Sequence, residues 1–121
     1  LEKCLQNLEA QKPSSKNNAY KAVVLMKRAN FIKDSKERLS FFSKGAKLLD
    51  AEINKNPTNL EYRFLRLVVQ ERAPKFLKYN QYIQVDKKEI IKGYNNMDAF
   101  LQQKVTEFAK KSKVLTLAEL Q

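Results

Sequence analysis

The chain has 121 residues, 24 Lys plus Arg against 13 Asp plus Glu, a formal net charge of +11, one Cys and no His. That length makes one small domain, or two only if each is very small, and it buries enough surface to fold without disulfide staples. The missing histidines exclude Ser-His-Asp and Cys-His catalysis and His-bearing zinc sites. A single thiol excludes an all-cysteine metal site, and two glycines, Gly45 and Gly93, exclude a glycine-rich phosphate loop.

In chain order, a first helix is predicted over residues 1–11 through Cys4, Leu5 and Leu8. Cys4 has no partner for an internal disulfide and reads as a small buried apolar residue. Pro13, Ser14 and Ser15 open a linker. A second helix over about 17–33 carries two apolar stripes, Tyr20, Val23, Val24 and Phe31 on one side and Ala22, Leu25, Ala29 and Ile32 on another, so it should pack between neighbours. Asp34 to Glu37 has the form of a capping box, in which the first residue accepts from the N3 amide and the Glu reaches back to the cap amide. The helix it opens carries the seam Leu39, Phe42, Ala46, Leu49 and Ile53 and ends at Asn56, because the residue before Pro57 is pushed out of helical geometry.

Thr58 to Glu61 is a second box, opening a helix over about 59–72 with Leu60, Phe64, Leu67 and Val68 on one face, stopped at Ala73 and Pro74. Residues 75–84 read as one helical turn followed by a loop. Asp86 to Glu89 is a third box, ahead of Ile90, Ile91 and Tyr94; Asn95 and Asn96 end that helix. The next, about 97–112, shows Met97, Leu101, Val105 and Phe108. Thr116 to Glu119 is a fourth box, starting a terminal turn with Leu117 and Leu120. Four cap signatures ahead of helical periodicity, with no alternating run between turn signals, predict an all-α protein of five to seven helices. Connections of a few residues make successive helices antiparallel neighbours. A single domain over 1–121 follows, with an N-terminal helix and linker (1–15), a helix-pair core (16–72) and C-terminal helices (73–121). Phe42, Leu49, Ile53, Phe64, Leu67, Leu101, Val105 and Phe108 should form one core.

The stretch from Gly45 to Glu61 resembles the second half of a tetratricopeptide repeat and its junction to the next repeat. Gly45 stands at the small position where two helices approach, Leu49 at the apolar position, Glu52 where the family prefers Ala, and Pro57 at the turn into the next helix. The half upstream departs from the repeat, so the resemblance implies an irregular stack of antiparallel helix pairs. A second resemblance runs over about 19–116. Ala19 to Ala22, Phe41 to Gly45, Asn56 to Asn59, Arg63 to Arg66, Ala73 to Asn80 and Ser112 to Thr116 look like small helical proteins of Bacteroidota with no assigned activity; Lys78 falls where a glycine is expected. This resemblance implies a periplasmic or secreted location and a signal peptide removed ahead of Leu1.

Arg63 and Arg66 lie three apart and share a helix face. They could clamp a carboxylate or phosphate on a partner, or pair with Glu61, Asp50 or Glu71 to hold helices together. Phe76, Tyr79 and Tyr82, interleaved with Lys75, Lys78 and Asn80, make an aromatic and basic loop suited to peptide or nucleic-acid contact; the same aromatics could instead plug the core. The carboxylates Asp34, Glu37, Glu61, Asp86, Glu89 and Glu119 are all assigned to caps, which leaves no catalytic dyad. The expectation is a non-enzymatic helical binding or scaffold module without cofactor or metal, for a protein or peptide partner, with Arg63, Arg66, Phe76, Lys78, Tyr79 and Tyr82 at the partner surface. A sequence pI near 9.8 supports the alternative of a basic module for nucleic acid or an anionic surface. No stretch approaches the roughly 18 apolar residues of a membrane span.

Overall fold

The computed structural model describes residues 15–121; the helix expected over 1–11, with Cys4, lies outside them. The described chain contains five α-helices, three short 3₁₀ turns and no strand, as the caps and periodicity predict. It divides into two compact units, the first ending at Pro57 and the second running Thr58–Gln121. The boundary falls inside the stretch 16–72 that the sequence reading groups as one core.

The described part of the first unit is a helical hairpin of α1 (Ser15–Ala29) and α2 (Ser35–Lys55). Ser15 at the start of α1 meets Glu52 near the end of α2, so the two run antiparallel. At mid-length, a Cβ on Gly45 would lie 2.7 Å from both the Ala22 carbonyl oxygen and Met26 Cγ. Any side chain there would force the helices apart. Asp34 caps α2, accepting from the Glu37 amide at 3.2 Å, as predicted.

α1 stops at Ala29 rather than near 33. The amides of Asn30, Phe31 and Ile32 tighten onto the carbonyls of Lys27, Arg28 and Ala29, and the extended backbone that Asp34 needs as a cap closes the helix off. Phe31 therefore leaves its predicted stripe and stands 79% exposed. α2 has 21 residues and α1 only 15, with the start of α1 aligned on the end of α2. The surplus lies at the start of α2, which is why Leu39 is exposed although the predicted seam begins there. The face that is buried runs Phe42, Gly45, Leu49, Glu52 and Ile53.

The second unit contains α3 (Leu60–Arg72), α4 (Ile83–Gly93) and α5 (Ala99–Lys111). Asn59, not Thr58, caps α3, accepting from the Tyr62 amide at 3.1 Å. Asp98, which the sequence reading passes over, caps α5 by accepting from the Leu101 amide at 2.8 Å; Met97 is extended and precedes the helix. Leu60 meets Gly93 and Gln70 meets Tyr82, so α3 and α4 are antiparallel. The Phe64 and Phe108 rings meet edge to face at 5.5 Å between centroids and join α3 to α5.

The core of this unit comprises Leu67, Ile90, Val105, Ala109, Leu115 and Leu120, with Phe64, Leu101 and Phe108 partly buried against it. Leu115 and Leu120 follow the last helix. They are folded inward by Glu71 Oε1, which accepts from the Lys113 amide at 2.6 Å, and by the fourth capping box. In that box the Thr116 amide donates to Glu119 Oε1 at 3.0 Å and the Glu119 amide donates back to Thr116 Oγ1. Phe42, Leu49 and Ile53 are buried in the first unit, so the eight residues expected to share one cluster are divided between the two units.

Candidate functional site

Arg63 and Arg66 do share a face of α3, and Gln70 continues it at helical spacing. That face meets α4, where Asp86 is fully buried. Arg66 donates to both carboxylate oxygens, Nε to Oδ2 and Nη2 to Oδ1, each at 2.8 Å. Arg63 Nη1 donates to Oδ1 at 3.1 Å and Gln70 Nε2 to Oδ2 at 3.0 Å. Each oxygen thus accepts two bonds, which fills the four lone-pair positions of a carboxylate. Asp86 has no acceptor capacity left for a ligand.

This overturns two expectations. Asp86 is not a cap: α4 begins earlier, at Ile83, and Asp86 lies within its first turn, its amide bonded to the Tyr82 carbonyl at 2.9 Å. Arg66 is not a partner-facing side chain: it is 3% exposed and lies 4.0 Å over the Tyr82 ring. The acid it is bonded to is Asp86. With every Asp86 acceptor position met by Arg63, Arg66 and Gln70, this face of α3 turns inward.

The loop between α3 and α4 is shaped by that cluster. Gln70 Oε1 accepts from the Tyr82 amide at 2.7 Å while its Nε2 holds Asp86. Tyr79 is buried, contrary to expectation, with its ring edge to face against Tyr82 at 6.4 Å. A 3₁₀ turn, Lys75–Leu77, ends at Lys78 in the left-handed region, φ 53°. Glycine is favoured there, which is the residue the sequence resemblance expects at 78. Phe76 points outward, 60% exposed, and Lys75, Lys78, Asn80 and Gln81 are exposed beside it. Of the six residues expected at a partner surface, Phe76 and Lys78 are available and Tyr82 is partly so; Arg66 and Tyr79 are internal and Arg63 is held by Asp86.

Arg63, Arg66 and Gln70 form a polar line at steps of three and four on α3. The spacing places them on one face without saying what that face meets.

The first unit buries its own carboxylate. Glu52 accepts from Ser15 Oγ at 2.7 Å and Asn18 Nδ2 at 3.0 Å, and Asn56 Nδ2 donates to Ser15 Oγ at 2.9 Å. Burial alone would raise the Glu52 pKa, but the hydrogen bonds from Asn18 and Ser15 and the nearby Lys55 ammonium hold it below the ordinary 4.5.

Two open clefts lie elsewhere in the second unit. One is bounded by Glu71, Arg72, Glu107, Phe108 and residues 111–113, the other by Gln84, Lys87, Lys88, Ile91, Lys92 and Glu119. Among the described residues no group of three or more His, Cys, Asp or Glu is placed to hold a metal ion, and no helix is long and apolar enough to cross a membrane. The chain matches no family model, no curated protein and no solved structure.

Proposed function

We propose that the protein is a non-enzymatic helical binding module for a protein or peptide, and that the second unit engages its partner with the loop between α3 and α4. One observation carries this reading: the loop is locked from beneath by the Asp86 cluster while its outer side holds Phe76 60% exposed between two exposed lysines. A large aromatic standing in water on a fixed backbone loses little conformational entropy on binding, and aromatic anchors dominate interface energetics. The +11 net charge and the flanking Lys75 and Lys78 favour a partner with acidic surface around an apolar pocket. Phe76, Lys78 and the open edge of Tyr82 make the contact; Arg63, Arg66 and Tyr79 support it.

A tetratricopeptide-like hairpin in the first unit belongs to the same reading and is supported by the helix approach at Gly45. The same reading has the partner in the periplasm or outside the cell, an expectation that rests on the resemblance to envelope proteins. The second reading, a nucleic-acid or anionic-surface module, is favoured by the net charge alone.

Photo-crosslinking from position 76 separates them. A benzoylphenylalanine at Phe76 should give a discrete protein adduct that Lys78→Glu suppresses, and a probe at Phe100, also an exposed aromatic, should not give it. Identical adducts from both positions would sink the loop assignment. Nucleic-acid adducts whose yield falls steeply with salt would favour the second reading.

A further inference from the structure

The outer face of α4 carries a feature the loop reading does not use. Gln84, Lys87, Lys88, Ile91 and Lys92 follow helical spacing, so they form one stripe opposite the buried Asp86 and Ile90. With Glu119 from the C-terminal turn they line an open cleft of about 460 Å³. Lys87 Nζ lies 2.6 Å from Glu119 Oε2, and that ion pair, with the Thr116 amide, holds the Glu119 pKa below its ordinary value. Lys88 and Lys92 are exposed and have no hydrogen-bond or ion-pair partner among the described residues. Their like charges, four apart on the helix, repel each other. Ile91, half-buried against the core, gives the cleft an apolar floor.

We propose that this cleft binds an acidic peptide segment, whose carboxylates pair with Lys88 and Lys92 and compete with Glu119 for Lys87. The chemistry of the occupant is argued from the chain itself. Lys87 already holds a carboxylate, supplied with a neighbouring leucine from a turn of this chain. No aromatic side chain lines the cleft to stack a base, as single-stranded nucleic acid would need. This site is separate from the Phe76 loop, and its test does not depend on that loop.

Fluorescence anisotropy of a labelled short Glu/Asp-rich peptide carrying one leucine tests it on the full chain. Lys88→Glu with Lys92→Glu should weaken binding about tenfold, or about 1.4 kcal/mol, with no fall in melting temperature. Glu119→Gln frees Lys87 and should tighten binding, and Phe100→Ser, at an exposed aromatic away from the cleft, should leave it unchanged. The proposal is overturned if the peptide does not bind, if the lysine reversals leave its affinity unaltered, if Glu119→Gln weakens it, or if oligothymidylate binds this face more tightly than the peptide at equal salt.

Discussion

Glu52 in the first unit and Asp86 in the second are both buried, 2% and 0% exposed, and each is met by side chains from the facing helix. Their surroundings differ in kind. Glu52 is held by a hydroxyl and an amide, with one solvent-exposed lysine at 3.9 Å. Asp86 is held by two guanidiniums and an amide, one guanidinium bidentate and buried with it. The neutral donors around Glu52 can take water or each other if the carboxylate is lost. The guanidiniums around Asp86 cannot, because an unpaired charge would remain inside. One unit therefore tolerates the loss of its buried acid and the other does not, and only the second uses its acid to shape a loop.

The largest expected effect is Asp86→Ala, which should cost about 3–5 kcal/mol in urea unfolding and raise amide exchange across residues 75–82. A loss below about 1 kcal/mol would break the comparison at its strongest point. Next, Glu52→Ala should cost about 1–3 kcal/mol; a loss as large as that of Asp86→Ala would show that neutral donors are no easier to satisfy than charged ones.

Acid sharpens the contrast further. Glu52 has a folded pKa below 4.5, so its contribution is fully present above that unfolded value and is lost as pH falls through the folded one. The melting-temperature gap between wild type and Glu52→Gln should hold from neutral pH down to about 4.5 and close below it. A gap that stays constant to lower pH would mean that the carboxylate owes nothing to its charged form. The smallest effect is in the loop. A side chain in the left-handed region costs about 1–2 kcal/mol and glycine returns part of that as chain entropy, about 0.5–1 kcal/mol. Lys78→Gly should therefore stabilise by roughly 0.5 kcal/mol, with the Tyr82 environment unchanged in NMR. A shift at Tyr82 would show that Lys78, and not the Asp86 cluster, sets the loop.

Much of the fold is legible in the residues, because caps and periodicity are local. Asp34 and the Thr116–Glu119 pair cap as their spacing requires, and Ala73 ends its helix ahead of Pro74. Asp98 could have been found, as an aspartate just ahead of the run Leu101, Val105 and Phe108. Asp86 resists such reading: an acid three residues before a glutamate matches a capping box whether it caps or is buried, and only a partner more than a dozen residues away decides. The same is true of Arg63 and Arg66. Helical spacing puts them together but does not say what they face. Phe31 and Leu39 fail for a different reason, since the pattern shows which face is apolar but not how far the neighbouring helix extends to cover it.

The inward fold of Leu115 and Leu120 has a consequence for the order of synthesis. The core of the second unit, which begins with Leu67, lacks two of its fully or nearly buried members until residue 120 has been made. In the α1–α2 hairpin, by contrast, the bonds that join Ser15 and Asn18 to Glu52 and Asn56 are all available once Asn56 is out. During vectorial synthesis the hairpin can therefore close while the rest is still being added. The second unit cannot complete its core until its final leucine arrives.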